Sequence, residues 1–243
     1  MTTIVVTPIE FDGSEIELHG DPYHHLFRVK RLKAGESVRV VDGEGRARRG
    51  VVARVDRARG VIALGSAEPS REPGTRVELL VAPPEPNRSA WMVEKATELG
   101  VTAIHFVATD RAARDERAFG AQQLARLHRV AVSAVQQCGR SLVPEVTGVH
   151  ALRDALDLLR EEPESILVLE PGARPASEVL STRPAGARLS VLIGPEGGWS
   201  EAEHELFRDE GYLLGSLGER VLRIETAAVV ATALAVAAGG ALR

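Results

Sequence analysis

"RLSVLIGPEGGWSEAEHELF", residues 188–207, decides the fold. The apolar run ending at Ile193 has the length and composition of a buried strand. Ser200 and Glu203 fit an S-x-x-E capping box, so a helix starts at about residue 201. Between them stands Gly-Pro-Glu-Gly-Gly, residues 194–198. A strand, a glycine loop and a helix in this order form a unit of an open α/β sheet, where ligands bind beyond the carboxyl ends of the strands. Glycine there permits positive φ and lets a ligand approach the backbone closely. A tight turn is the plainer explanation, but three glycines exceed what a turn needs.

Two other strand ends resemble this one. "LVLEPGARP" (167–175) is again rich in Pro and Gly, and "SLGERVLRIETA" (216–227) joins a short strand to a long Ala/Val helix over 226–238. Glu225 or Thr226 begins that helix. Three such loops at one edge of a sheet can line one pocket. The surrounding rhythm agrees. Strands are expected at 76–82, 101–108, 165–170, 188–193 and 212–217, and helices at 87–100, 122–139 and 151–160. Near-continuous apolar strands alternating with helices imply a parallel sheet covered on both faces.

The first part of the chain has another rhythm. Short valine-rich runs at 3–7, 15–20, 36–43, 48–55 and 60–65 are punctuated by "DGEG" and "RARG", which are hairpin signals. One short helix, 22–30, interrupts them. This pattern suggests a small β-barrel over residues 1–70. "SAEPSREPG" (66–74) reads as a linker, and a second domain runs over 75–243. In 36–43, Val38 and Val40 alternate with Arg39 and Val41.

Composition narrows the function. Hydrophobic residues make up 44% and charged residues 26%, enough for a real core. No apolar run reaches the ~20 residues of a membrane helix, and no secretory signal is visible, so a cytoplasmic protein is expected. One cysteine, Cys138, leaves no disulfide and no multi-cysteine metal site, and no metal is expected. Net charge is −4, yet basic residues cluster in "FRVKRLK" (27–33) and "RARR" (46–49), which suits a polyanion touching one face. The Rossmann, P-loop, zincin and hydrolase-elbow signatures are all missing. What remains is a ligand held mainly by backbone.

"LIGPEGGWSEAE" followed by "SLGERVLRIETA" resembles the RNA methyltransferases of the knotted SPOUT class, specifically the bacterial family that methylates N3 of a uridine in 16S ribosomal RNA. "HHLFRVKRLKAGESVRVVDGEG", "WMVEKATELGVTAI" and "AVQQCGR" extend the resemblance along the chain. Trp199 stands where phenylalanine is usual, and Ile224 where threonine is common. The resemblance implies an α/β fold with an N-terminal PUA-like barrel that binds RNA and a C-terminal SPOUT domain tied in a deep trefoil knot. It implies S-adenosylmethionine as methyl donor, 16S ribosomal RNA or the assembled small subunit as partner, and a homodimer with the 226–238 helix as candidate seam. By the same resemblance Leu169 and Glu170, then Ile193, Gly194, Pro195, Glu196, Gly197 and Gly198, then Leu217, Gly218, Val221 and Leu222 wall the cofactor pocket. Arg220 or Arg223 donates to a uracil carbonyl, and Glu225 or Glu196 takes the N3 proton. Arg28, Lys30, Arg31 and Arg46 touch phosphates, His25 or Tyr23 stacks on a base, and Arg140 carries RNA towards the pocket. Two alternatives stand beside this: a SPOUT enzyme acting on a 2′-hydroxyl or on guanine, and a non-catalytic RNA-binding assembly factor.

Overall fold

The computed structural model describes residues 1–112, 119–157, 165–184 and 186–240. The chain divides into two compact units, Met1–Glu72 with Val135–Val143, and Pro73–Ala134 with Pro144–Arg243.

The first unit contains β1 (Thr2–Val5), α1 (Pro8–Phe11), β2 (Glu15–Leu18), α2 (Gly20–Tyr23), a π-helical turn over His24–Val29, then β3 (Ser37–Val41), β4 (Ala47–Val55) and β5 (Gly60–Glu68). Its five strands pair in the order β1-β3-β4-β5-β2, with β1–β3 parallel and the other ladders antiparallel. Ile4, Val38, Val40, Val52 and Ile62 point into one core with Tyr23, Leu26 and Phe27. This explains the expected helix at 22–30. It forms as α2 running into the π-helical turn, and the wider turn delivers Leu26 and Phe27 to that core. Gly60 is obligatory beneath it, because a Cβ there would meet the Phe27 ring. The opposite face of the sheet is not solvent. Val41 and Ala47 pack against Val135 and Val143, with Val5 beside them. The alternation of Val and Arg in 38–41 therefore does not mark a wet face, and Arg39 is buried.

The second unit runs β6 (Val77–Val81), α3 (Pro86–Leu99), β7 (Ala103–Ala108), α4 (Ala121–Cys138, whose last turn belongs to the first unit), β8 (Glu145–Ala151), α5 (Leu152–Asp157), β9 (Ile166–Leu169), α6 (Ala176–Ser181), β10 (Leu189–Ile193), α7 (Glu201–Asp209), β11 (Leu213–Gly215) and α8 (Ile224–Ala238). Six strands pair in the order β11-β9-β10-β6-β7-β8, all parallel. Residues 158–160 of the helix expected at 151–160 lie outside the described residues. Leu80, Val168 and Leu192 form one packed layer with Trp199, Phe207 and Tyr212. On α8, Ala228, Ala231, Thr232 and Ala235 are buried, and the helix packs on α3, β6 and β10. Alanine and threonine permit that close approach. The chain order reverses between β6 and β10, and the carboxyl ends of β9, β10 and β11 lie beside this switch point.

Candidate active site

Three strand-end loops meet at that edge. They enclose a cavity of about 320 Å³, lined by 169–171, 193–199 and residues from 216 to 227. Local chemistry fixes each loop. After β10, Ser200 and Glu203 form the anticipated capping box, and the second Glu203 oxygen accepts from the Asp110 N–H at 3.0 Å. Arg111 Nη1 donates to the Gly197 carbonyl at 3.2 Å, and the Gly198 N–H to the Pro195 carbonyl at 2.9 Å. The Trp199 indole is buried, edge-on to Phe207, and its Nε1–H donates to the Leu169 carbonyl at 3.1 Å. That bond ties the end of β9 to the loop after β10. After β11, the Ser216 hydroxyl accepts from the Gly218 N–H and donates to the Gly218 carbonyl.

The glycines serve separate purposes. Gly198 and Gly218 take φ of +69° and +111° with nothing within 4 Å of a would-be Cβ, so each keeps a sharp bend beside open space. Gly194 is different. A Cβ there would stand 2.9 Å from Trp199 Cε2, so its bareness makes room for the indole. The expectation that glycine at 194 clears space for a ligand is corrected by that contact.

All twelve residues anticipated for the pocket line the cavity, joined by Pro171, Trp199, Ser216, Arg220, Ile224 and Ala227. Trp199 was singled out in the sequence only as a departure from phenylalanine. Its burial beneath Gly194 is a tertiary fact with no local signal. Glu170 stands at the rim, with its Oε2 3.2 Å from His204 Nε2.

The anticipated catalytic groups separate. Arg220 and Glu196 are exposed and line the cavity. Arg223 is exposed at the N-cap of α8 and is not part of the lining. Glu225 is buried and does not line the cavity. One of its oxygens lies 3.7 Å from Arg88 Nη1, and Oε2 has no hydrogen-bond partner among the described residues. As placed, Glu225 faces Arg88 on α3 and lies apart from the cavity lining.

Among the anticipated RNA contacts, His25, Lys30 and Arg31 are exposed, Arg31 at a φ of +59°. Arg28 donates to the Arg57 carbonyl at 3.0 Å and stacks over the Tyr23 ring. Arg46 is held by Asp42 and Asp12 over the Phe11 ring. Two expectations are corrected. Tyr23 is only 6% exposed, and its hydroxyl donates to the Asp56 and Arg57 carbonyls, so its ring does not offer a stacking face. Arg140 is buried and gives Nε and Nη2 to one oxygen of Glu72, at 2.9 and 2.7 Å. It closes an internal ion pair instead of meeting RNA. No group of three or more His, Cys, Asp or Glu among the described residues is placed to hold a metal. No helix there is long and apolar enough to cross a membrane.

Comparison with known proteins completes the picture. A family model described as an RNA methyltransferase domain matches residues 71–236, and one described as an RNA methyltransferase PUA domain matches residues 18–62. The chain is 34% identical to the ribosomal RNA small subunit methyltransferase E of Mycobacterium tuberculosis, over 90% of this chain and 85% of that one. It is 26% identical to the Bacillus subtilis protein of the same name, over 92% of each. Among solved structures, that of ribosomal RNA small subunit methyltransferase E from Neisseria gonorrhoeae, bound to S-adenosyl methionine, superposes with a TM-score of 0.84. It is 28% identical and covers 96% of this chain and 95% of its own. A probable rRNA-methyltransferase from Porphyromonas gingivalis gives 0.85 at 27% identity, over the full length of both chains.

Proposed function

The chain belongs to the RNA methyltransferase family that includes these small-subunit enzymes, and from that premise we propose that it methylates N3 of a uridine in 16S ribosomal RNA, using S-adenosylmethionine. The observation that carries this reading is the cavity walled by three strand-end loops at the sheet's switch point.

The residues present suit the cofactor. Leu169, Ile193, Leu217 and Leu222 offer an apolar slot for a purine. Bare backbone at Gly198 and Gly218 leaves open space at the bends, and Glu170 is an acceptor for sugar hydroxyls. When bound, the cofactor supplies an electrophilic methyl group carried on a sulfonium cation. The protein's own task is then orientation and deprotonation. An imide N–H is a poor nucleophile until it loses its proton. Glu196, exposed at the cavity wall, accepts that proton. Arg220, on the facing loop, donates to a uracil carbonyl and stabilises the charge left on the ring.

The same reading places a trefoil knot at the crossing of these loops, closes the first unit's sheet into a small PUA-like barrel, and assigns RNA binding to residues 1–70 and methyl transfer to 75–243. It makes the enzyme a cytoplasmic homodimer. Trp91 on α3 and Val230 on α8 support a dimer seam there, since both leave apolar surface exposed. The test is methyl transfer from labelled cofactor to under-methylated small-subunit particles, with the product mapped by mass spectrometry of the digested RNA. Label on N3 of one uridine is the expected result. Label on a ribose or on guanine, or no transfer at all, refutes the reading.

A further inference from the structure

In the first unit, three adjacent strands place Thr3, Arg39 and Arg49 side by side, because Thr3 pairs with Arg39 on β1–β3 and Arg39 with Arg49 on β3–β4. Partners directly across a ladder point to one face of the sheet. Like charges so placed repel. Arg39 is also 1% exposed, and its Nε, Nη1 and Nη2 have no hydrogen-bond partner among the described residues. Its nearest carboxylate is Glu68, with Oε2 3.6 Å from Nη1, while the other Glu68 oxygen lies 3.7 Å from Arg49 Nε. A third guanidinium, Arg71, stands over Gly139, whose would-be Cβ lies 3.8 Å from Arg71 Nη1 and 3.9 Å from Thr3 Oγ1. The neighbouring Glu72 offsets the group least, because Arg140, Ser141 and Leu142 occupy both of its oxygens.

Arg49, Arg71, Ser66 and Glu68 wall a cleft of about 430 Å³, with Arg39 behind Glu68. Three cations share one carboxylate there, which leaves two positive charges uncompensated. Burial pulls the Arg39 guanidinium below the ordinary arginine value. The charge of Arg71 adds to that pull, and Glu68 and Glu72 oppose it. A fold that sets two arginines opposite each other and buries one without a hydrogen bond sacrifices stability, and an anion in the cleft offsets the charge repulsion. The guanidinium fork pairs bidentately with carboxylate or phosphate, and on a chain that acts on RNA the anion at hand is a phosphate.

We infer that this cleft binds a backbone phosphate of the RNA substrate, between Arg49 and Arg71 and in the field of buried Arg39. The inference rests on the proposed action on RNA. It adds a contact site distinct from the exposed 25–31 segment, and it joins Arg49, at the end of the basic run 46–49, to Arg71 and Arg39, which no basic run in the sequence marks.

The test uses the full chain and in vitro transcribed 16S ribosomal RNA, with affinity measured across a salt series. Arg49→Gln with Arg71→Gln is expected to weaken RNA binding on the order of tenfold and to lower the slope of log K against log salt by about 1. An unchanged thermal melt shows that the double variant is folded. Glu68→Gln moves the other way: a merely structural ion pair would lose affinity with it, whereas an anion site gains affinity when its one competing carboxylate is neutralised. Wild-type affinity and slope in the double variant overturn the inference, and so does weaker binding by Glu68→Gln. A second arm titrates inorganic phosphate. Phosphate that raises the melting temperature only when Arg49 and Arg71 are present, with RNA affinity unaltered in the variant, also overturns the RNA assignment. Methyl transfer by the wild-type chain tests the underlying reading separately. If the wild type methylates and the double variant binds RNA normally, only the phosphate site falls. If the wild type never methylates while the variants shift RNA binding as stated, the site survives the loss of that reading.

Discussion

Gly194→Ala is the sharpest probe of the cavity. The new Cβ would lie 2.9 Å from Trp199 Cε2 and 3.1 Å from Cδ2 and Cζ2, while carbon atoms rest at about 3.5–4.0 Å. The indole must therefore withdraw by more than half an ångström (roughly 0.6 Å). It has little room, being buried against Phe207 with ring centroids 5.0 Å apart and bound through Nε1 to the Leu169 carbonyl. Overpacking of this kind costs about 1–3 kcal/mol, and losing the Nε1 bond adds about 1 kcal/mol. For a chain of this length each kcal/mol lowers the melting temperature by roughly 2–4 °C, so a fall of about 4–16 °C is expected. The displaced indole also disturbs 193–198, which line the cavity, so cofactor affinity falls too; a loss of about 1.4 kcal/mol in binding would read as tenfold. Calorimetric titration with S-adenosylmethionine and a thermal melt read both effects. Gly198→Ala is the comparison: nothing lies within 4 Å of its Cβ, and only the cost of a left-handed residue, about 1–2 kcal/mol, applies. A Gly194→Ala protein that melts and binds like the wild type refutes the packing argument.

Further outcomes follow from other contacts. Trp199→Phe keeps an aromatic ring but deletes the donor to Leu169 and part of the buried indole; a loss of at least about 1 kcal/mol in unfolding free energy is expected by denaturant titration. Arg220→Ala and Glu196→Gln should lower kcat for methyl transfer more than they raise the cofactor Kd, and Glu225→Gln should act mainly on the melting temperature. Acid stability reports on Glu72. Burial alone would raise its pKa, but the Arg140 charge and the hydrogen bonds from Arg140, Ser141 and Leu142 prevail and hold it below the ordinary value. A depressed carboxylate adds stability above its unfolded pKa of about 4.3, and that stability is lost as pH falls through the lower folded value. Melting temperature should thus drop below about pH 4.3 in the wild type, and this acid limb should flatten in Glu72→Gln. Equal acid limbs in the two proteins would contradict the account.

Much of this was readable in the chain. The capping box at Ser200 and Glu203 fixed the start of α7 because it is a local interaction three residues long. The parallel strands were visible because each is a short apolar run. β8 escaped notice because Glu145–Ala151 is half-buried at the sheet's edge, carries Gly148 and Thr147, and pairs with β7 through a register shift. The burial of Arg39 was not legible for a different reason. Alternation shows which residues share a face, but it cannot reveal that the 135–143 segment covers that face. Arg140 and Tyr23 failed in the same way: each looked like surface chemistry, and each is enclosed by partners far away in sequence.

The return of Val135–Val143 to the first unit has a practical consequence for anyone dissecting this enzyme. A gene fragment stopped after Glu72 would encode every strand of the N-terminal sheet, yet Val41 and Ala47 would be stripped of Val135 and Val143, and the Glu72 carboxylate of its three donor residues. The first unit is therefore not a cassette that can be cut out at the linker or grafted elsewhere. It is finished by a stretch of polypeptide synthesised some sixty residues later, so on the ribosome it must wait for much of the second unit to emerge.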